Sequence, residues 1–182
     1  HHLWFNSRDY AKHGNRIKWN PAVKSGKDQQ ALLDALNDDV LDVVATDHAP
    51  HLLKEKINQY TKSASGGPLV QHSLIAMLEL AKQGKISLPK VINKMCHAPA
   101  DLYKVAKRGY LKEGYYADIV LVDLNKDYFV SENNILYKCK WSPFEGENFS
   151  STVSHTFLNG KLVYEKGNII GEPNGRPLKF DR

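Results

Sequence analysis

The 182-residue sequence contains only two cysteines, Cys96 and Cys139, which lie far apart in the chain. They fit neither a framework of disulfides nor a Cys-x-x-Cys metal knuckle, and this favours a reducing, cytoplasmic setting. The longest purely apolar runs are a handful of residues, well short of the roughly twenty that a membrane-spanning helix needs. The sequence therefore predicts a soluble protein with no membrane partner.

A block of basic residues is also missing, although the net charge at pH 7 is +5 and the sequence pI is about 9.1. The lysines are scattered among acidic residues, whereas nucleic-acid binding is typical of a clustered basic patch with interleaved aromatic residues. We therefore expect no nucleic-acid partner. No internal repeat or low-complexity segment is present.

The first residue is His1 rather than methionine, and it opens the apolar phrase His1-His2-Leu3-Trp4-Phe5 without a cap or start signal. This favours a piece of a longer polypeptide. A second interpretation takes His1 and His2 as the remnant of a purification tag. It is disfavoured because tags are seldom followed by Leu-Trp-Phe.

The apolar run 43–46 ends abruptly in Asp47, which is followed by His48 and His51. An unpaired charge at the end of a buried strand is costly unless a metal ion or another partner compensates it. In (β/α)8 barrels the reactive groups lie where the strands end, at the C-terminal face. We therefore predict that Asp47 faces a cation. His48 either orients Asp47 or packs within the loop.

From about residue 16 to residue 105, strand-like and helix-like phrases alternate, which is typical of βα units and a parallel sheet. Strands are predicted over 17–20 and 40–46. The predicted helices begin at turn or proline signals, with apolar residues at helical spacing behind them. One helix follows Ser25. A second runs over 69–80 after Pro68 and ends near Gly84. A third runs from Ser87 until Pro99 interrupts it.

After residue 107 the periodicity changes to that of strands. A strand is predicted over 116–123, and a hairpin joins 153–158 to 161–165 through Asn159-Gly160, a strong turn signal. The tail 171–182 is polar and is expected to be extended. The predicted fold class is therefore α/β, a barrel portion followed by a small β unit.

Several phrases resemble the dihydroorotases of bacterial type in the amidohydrolase superfamily, and the resemblance runs almost end to end. The segment 47–51 is the most specific, whereas the phrases in 109–123 identify only the superfamily. The phrases are His1-His2-Leu3, Lys18-Trp19-Asn20-Pro21, Asp47-His48-Ala49-Pro50-His51, Gly109 to Gly114 with Ala117 to Asp123, and Ser142-Pro143-Phe144-Glu145-Gly146.

The resemblance implies the C-terminal part of a (β/α)8 TIM barrel over 1–106, and part of a small β-sandwich with the tail over 107–182. It implies a metal site with two zinc ions in the complete protein. His1 would be a ligand of one zinc, although whether His1 or His2 faces the metal is left open. Asp47 would be a ligand of the other zinc and the proton-transfer group.

Substrate binding is also implied by the resemblance. Asn20 and His51 would bind the substrate, His51 at its carboxylate, and the backbone around Gly66 and Gly67 would touch the pyrimidine ring. The phrase 65–68 departs from the commoner Pro-Phe-Gly form. The phrase 20–24 differs from the usual Asn-Pro-Pro-Leu-Arg of the family, so Lys24 would have to take the role of that arginine.

The implied activity is the zinc-dependent interconversion of dihydroorotate and N-carbamoyl-aspartate in pyrimidine biosynthesis. The implied partners are this small-molecule substrate and the missing N-terminal half of the barrel; a homodimer is left open. Because only His1 and Asp47 of the expected ligands are present, we expect the 182-residue chain alone to be inactive.

Two alternatives are kept. An allantoinase or hydantoinase is disfavoured by His51, since an uncharged ring offers that imidazole no partner. A catalytically inactive scaffold, serving a partner such as aspartate transcarbamoylase, is disfavoured by the presence of Asp47.

Overall fold

The computed structural model of the protein describes residues 1–181. These residues form two compact units, each assembled from separate stretches of the chain. Unit 1 consists of 1–41, 45–77 and 129–148, and unit 2 consists of 42–44, 78–128 and 149–181. Helices and strands are both present, so the predicted mixture of α and β structure is confirmed.

The helices of unit 1 are short and are interspersed with single 3-10 turns. The α-helices are α1 (Tyr10–His13), α2 (Gly26–Asn37), α3 (Leu53–Lys56) and the beginning of α4 (Ser73–Lys82). The 3-10 turns are Ser7–Asp9, Gly14–Ile17, Tyr60–Lys62, Val70–His72 and Glu132–Asn134. No helix among residues 1–181 has the length and hydropathy needed to cross a membrane.

Helix α2 begins where the sequence predicts it, at a capping box. The Ser25 hydroxyl accepts from the Asp28 backbone N–H, and the Asp28 carboxylate accepts from the Ser25 N–H at 3.0 Å. The helix buries Leu33 and Leu36, which are 2% and 1% exposed. The cap satisfies otherwise unpaired amides, and the apolar face supplies the packing that a short helix needs.

The core of unit 1 is built around aromatic rings. Trp19 is fully buried, and its ring lies 5.9 Å from that of Phe5, which in turn stacks on Phe144 at 5.3 Å. Apolar side chains complete this core: Ile17, Val23, Leu33, Leu36, Leu69, Ile75, Ala76, Met77, Val130, Ile135 and Trp141.

The strands predicted over 17–20 and 40–46 are wrong for the described structure. Ile17 ends a 3-10 turn, and the Lys18 N–H donates back to Asn15. In the second segment, the amides of Val40 and Leu41 both donate to the Ala35 carbonyl in α2. The stretch 42–46 has no ladder of strand hydrogen bonds. A parallel strand takes its hydrogen bonds from neighbouring strands, and residues 1–181 contain no strand beside these segments.

Unit 2 contains the end of α4, then α5 (Leu88–Ile92), a π-helical turn (Asn93–His97) and α6 (Ala98–Leu102). Ser87 caps α5, as its sequence position predicts, and accepts from the Lys90 N–H at 3.3 Å. Pro99 lies in the first turn of α6, where no N–H donor is required. It therefore begins a helix rather than interrupting one.

A four-stranded antiparallel sheet completes unit 2. Its order is β1 (Ile119–Asp123), β4 (Thr152–Leu158), β5 (Lys161–Glu165) and β6 (Asn168–Ile169). The short strands β2 (Tyr128–Phe129) and β3 (Asn148–Phe149) pair separately. The β4–β5 hairpin turns at Asn159 and Gly160, whose φ angles are 51° and 80°. This is the predicted hairpin.

The stability of the folded protein depends on pH through the fully buried His72. The Ser142 hydroxyl lies 3.1 Å from its Nδ1, and burial lowers the pKa of His72 from 6.5 to about 4. The unfolded chain therefore binds this proton more readily than the folded chain. The stability that the neutral ring contributes is complete above pH 6.5 and is lost as the pH falls from 6.5 towards 4.

We expect the free energy of unfolding of the wild-type protein to fall by about 3 kcal/mol across this pH window through His72 alone. In the variant His72→Asn, whose amide oxygen replaces Nδ1 as an acceptor, this part of the slope is absent. Urea unfolding at several pH values between 4 and 7.5 measures the two slopes. Equal slopes would contradict the assignment.

Candidate functional site

Asp47 stands at the end of the extended segment 42–46 and turns the chain. Its φ of 48° lies in the left-handed region, which aspartate tolerates better than most residues. The residue is exposed, and among residues 1–181 its carboxylate has no hydrogen bond or ion pair. The carboxylate is therefore available to a cation or to a ligand.

The predicted loop residues Gly66 and Gly67 lie against the segment 47–51. Gly67 forms a parallel bridge with His48, and the Ala49 N–H donates to the Gly67 carbonyl at 3.2 Å. The Gly66 N–H donates to the Lys18 carbonyl at 2.9 Å. Three stretches that the sequence singled out, 18–20, 47–51 and 65–67, are thus joined by backbone hydrogen bonds.

Gly66 is required by close approach as well as by its φ of 114°. A Cβ at this position would lie 2.7 Å from the Ala49 carbonyl oxygen and 2.8 Å from the Ala49 Cβ. Any side chain would push the two segments apart. The glycine therefore sets the distance between the loop and the residues that follow Asp47.

His48 is exposed and hydrogen-bonds within the loop, which supports the second of its two predicted roles. Its Nδ1 accepts from the Leu69 N–H at 3.0 Å and the Val70 N–H at 3.3 Å. A nitrogen that accepts carries no proton, so the neutral ring is protonated on Nε2. No hydrogen bond joins His48 to Asp47 in the described part of the chain.

His51 is half-exposed and is held by its backbone. The buried Trp141 indole donates to the His51 carbonyl at 2.7 Å. The His51 Nδ1 lies 3.7 Å from a carboxylate oxygen of Glu55. The ring lines a cavity of about 380 Å³ together with Tyr137, Lys138 and neighbouring loop residues. It is an accessible imidazole on an anchored backbone.

Asn20 is exposed and directly follows the buried Trp19. The Asn20–Pro21 peptide bond is cis. Its side-chain amide has no hydrogen bond within residues 1–181. The amide is therefore available to a ligand.

His1 and His2 carry buried nitrogen atoms that no protein group satisfies. Both ring nitrogens of His1 and the Nε2 of His2 lack a partner in the described residues. The His1 ring stacks on Trp19 at 4.5 Å, and the two imidazoles are 4.2 Å apart. Burial and then neighbouring positive charges lower the pKa of His2, and the negative charge of Asp47 opposes them.

Neutral imidazole nitrogens without partners are the state in which histidine binds metals. The residues present therefore fit a metal ion. No group of three histidine, cysteine, aspartate or glutamate side chains within residues 1–181 is close enough to hold one by itself. The histidine and aspartate donors do not make a complete metal site among themselves.

No sequence pattern predicts that Lys18 and Lys56 are buried. They are 9% and 1% exposed, and their ammonium groups donate only to backbone carbonyls of the loop 60–66 and of residue 18. Lysine is usually exposed, and a Lys-Glu-Lys phrase in a polar loop has no feature that would mark it as buried.

The sequence model described as the Amidohydrolase family matches residues 4–163. The chain is 39% identical over 153 residues to a dihydroorotase of Clostridium acetobutylicum, covering 84% of this chain and 36% of that protein. It is 31% identical over 178 residues to a dihydroorotase of Pyrococcus horikoshii, covering 98% and 41%.

A solved L-hydantoinase (dihydropyrimidinase) from Arthrobacter aurescens superimposes with a TM-score of 0.86 at 27% identity, covering 94% of this chain and 40% of that one. A solved D-hydantoinase gives a TM-score of 0.85 at 23% identity, and at that identity the match supports a shared fold only. The chain spans about two fifths of the length of these relatives.

We expect Gly66→Ala to lower the free energy of unfolding by about 3 kcal/mol or more, because the new Cβ clashes with Ala49 in addition to straining the backbone. Gly14→Ala is the matched control, since Gly14 has a φ of 54° and open space around it. Its expected cost, from backbone strain without a clash, is about 2 kcal/mol. Urea unfolding measures both, and equal losses would show that the close approach to Ala49 has no energetic weight.

Proposed function

Because the chain belongs to the amidohydrolase family, we propose that the full-length polypeptide carrying it is a zinc-dependent dihydroorotase. The proposed reaction interconverts dihydroorotate and N-carbamoyl-aspartate in pyrimidine biosynthesis. The named relatives at 39% and 31% identity support this substrate class. Within this proposal, 1–106 belong to the barrel and 107–182 to the sandwich and tail, and the protein is cytoplasmic.

The observation that carries the proposal is the set of unsatisfied imidazole nitrogens of His1 and His2, near the charge of Asp47. A buried polar atom without a partner costs about 1–3 kcal/mol, and a metal ion removes that cost. His1, or else His2, and Asp47 would hold zinc, and the rest of the polypeptide would supply the other ligands. Bound zinc supplies a water of lowered pKa and polarises the substrate carbonyl.

Asp47 would move the proton. In the hydrolytic direction the ring amide C–N bond breaks, and the oxygen of water enters the new carboxylate. One proton of that water passes through the Asp47 carboxylate to the leaving nitrogen, which becomes the ureido NH2, and the other is released to solvent as the new carboxylate forms. In the closing direction the same carboxylate returns a proton to the departing water. The exposed, unpaired state of Asp47 supports this role.

Three groups would position the substrate. The free side-chain amide of Asn20 would contact a polar edge of the ring, and the His51 imidazole would donate to the substrate carboxylate. Gly66 and Gly67 would lie against the ring. The Gly66 N–H and carbonyl and the Gly67 carbonyl are already hydrogen-bonded within the protein. These three groups are therefore engaged before a ring binds, and the absence of side chains leaves space for it.

A hydantoinase or dihydropyrimidinase is the second candidate, because the solved L-hydantoinase superimposes closely at 27% identity. Allantoinase belongs to the same class of cyclic amidases. These activities differ from the first candidate in lacking a carboxylate on the ring, so the partner of His51 discriminates between them. An inactive scaffold is the third, and it predicts no turnover of any of these substrates.

We expect the full-length protein loaded with zinc to hydrolyse dihydroorotate, and Asp47→Asn to lower kcat by at least about a thousandfold with the fold retained. The amide keeps the size of the side chain but cannot carry the proton. Steady-state kinetics, metal analysis and circular dichroism on the same preparations provide the measurement. The matched control is Asp42→Asn, an exposed aspartate at the start of the same extended segment. Wild-type rates in D47N would overturn the proposed role.

His51→Ala is expected to raise the KM for dihydroorotate by about tenfold or more, since a charged hydrogen bond to the substrate carboxylate is lost. Turnover of the uncharged dihydrouracil, if present, should not change. An unaltered KM for dihydroorotate in this variant would instead favour the hydantoinase alternative.

A further inference from the structure

Lys56, the last residue of α3, is buried in the loop that follows His51. Its side chain is 1% exposed. Its ammonium group donates to the carbonyls of Lys18 at 3.1 Å, Ala64 at 2.8 Å and Gly66 at 2.7 Å. All three of its N–H donors are therefore used on backbone atoms from two different segments.

Lys18 reinforces the same loop. Its ammonium donates to the carbonyls of Tyr60 and Ser63, each at 2.5 Å, and lies 4.9 Å from the centre of the Tyr60 ring. The Ser63 hydroxyl donates in turn to the Lys56 carbonyl at 3.1 Å. Lys18 therefore holds the middle of the loop 56–66, and Lys56 holds its C-terminal end.

Neither lysine forms an ion pair with an aspartate or glutamate among residues 1–181. A buried ammonium is expensive unless it is paired or fully hydrogen-bonded. Here hydrogen bonds to carbonyls alone compensate it. An apolar side chain would fill the same space without the desolvation cost, so what the ammonium adds is the fixed position of three carbonyls.

Two of those carbonyls lie at the junction of the candidate site. The Gly66 N–H donates to the Lys18 carbonyl, and Lys56 donates to both that carbonyl and the Gly66 carbonyl. Lys18 precedes Asn20 by two residues, and Gly66 packs against Ala49. A shift of this junction would move Asn20 and the glycine loop relative to one another.

We propose that Lys56 is a positioning residue for substrate binding, because its ammonium fixes the segment 18–20, which carries Asn20, and the Gly66-Gly67 loop in one arrangement around the substrate ring. This inference rests on the proposed function, since it takes Asn20 and the two glycines as the substrate-binding groups. Lys56 itself does not touch the substrate.

The kinetic test compares Lys56→Met with Lys54→Met in the zinc-loaded full-length protein. Lys54 lies on the same helix and is exposed, so it is the matched control. We expect K56M to raise the KM for dihydroorotate by about tenfold with kcat nearly unchanged, because substrate binding is lost while Asp47 is undisturbed. K54M should match the wild type. A reduced amount of active protein with an unchanged KM would mean a merely structural role and would overturn the proposal.

A second readout does not depend on activity. Hydrogen–deuterium exchange of the peptides covering 57–68 should be faster in K56M than in wild type or K54M, while α2 exchanges equally in all three. If the wild type does not turn over dihydroorotate but the loop loosens only in K56M, the proposed function fails and the structural part of this inference stands. Equal exchange of 57–68 in K56M and K54M would overturn the inference whatever the activity.

If K56M does not fold, the inference can be tested on the wild-type protein. Burial and then the charge of Lys18 lower the pKa of Lys56 to about 8. The charged group that acts on it is Lys18, whereas Lys54 and Glu55 on its own helix are exposed. A neutral amine retains only two N–H donors, so one carbonyl loses its partner. Exchange of 57–68, corrected for the intrinsic pH dependence, should accelerate as the pH rises through 8, and exchange that stays constant would contradict the role.

Discussion

The candidate site depends on the contact between the glycine loop and the residues that follow Asp47. Gly67 pairs with His48, the Ala49 N–H donates to the Gly67 carbonyl, and Gly66 leaves no room for a side chain against Ala49. Without this contact, residues that lie about twenty positions apart in sequence would not share a site. Asp47 itself has a left-handed φ of 48° and lies directly before this junction, at the end of an extended segment.

In the same region, some buried polar atoms have hydrogen-bond partners within the protein and others have none among the described residues. The amides of Leu69 and Val70 are satisfied by His48, and the carbonyls of Lys18 and Gly66 are satisfied by Lys56. These backbone groups therefore need no partner from outside the protein. The ring nitrogens of His1 receive nothing from the described residues although they are buried. Buried polar groups in proteins are almost always paired, so these imidazole nitrogens are the atoms on which the proposed metal site rests.

Local patterns in the sequence were sufficient where the structure is decided locally. The Ser25 cap, the Asn159-Gly160 turn and the abrupt end of the apolar run at Asp47 each depend on a few neighbouring residues, and the first two elements are found as predicted. The strands predicted over 17–20 and 40–46 failed because a parallel strand is completed by neighbours that no local pattern can supply. The resemblance to the amidohydrolase superfamily is confirmed by the family match over 4–163 and by the dihydroorotase relatives.

The parts that the sequence could not predict involve contacts between distant residues. His48 could not be assigned because its partners lie at positions 69 and 70. Lys56 could not be recognised because its three acceptors are backbone carbonyls, which every residue carries. The roles of Asn20, His51, Gly66 and Gly67 stay predictions. Their side chains or backbones are accessible or close-packed as those roles require, but binding itself is a property of the complex with a ligand.

The central claim is that the carboxylate of Asp47 and an imidazole of the His1-His2 pair hold zinc in the full-length protein. The most direct measurement is anomalous scattering at the zinc absorption edge from crystals of that protein grown with zinc. The account predicts zinc density within about 2.2 Å of an Asp47 carboxylate oxygen and, at a second ion or the same one, within about 2.1 Å of an imidazole nitrogen of His1 or His2. Crystals in which Asp47 contacts only solvent, with zinc bound elsewhere or not at all, would contradict it.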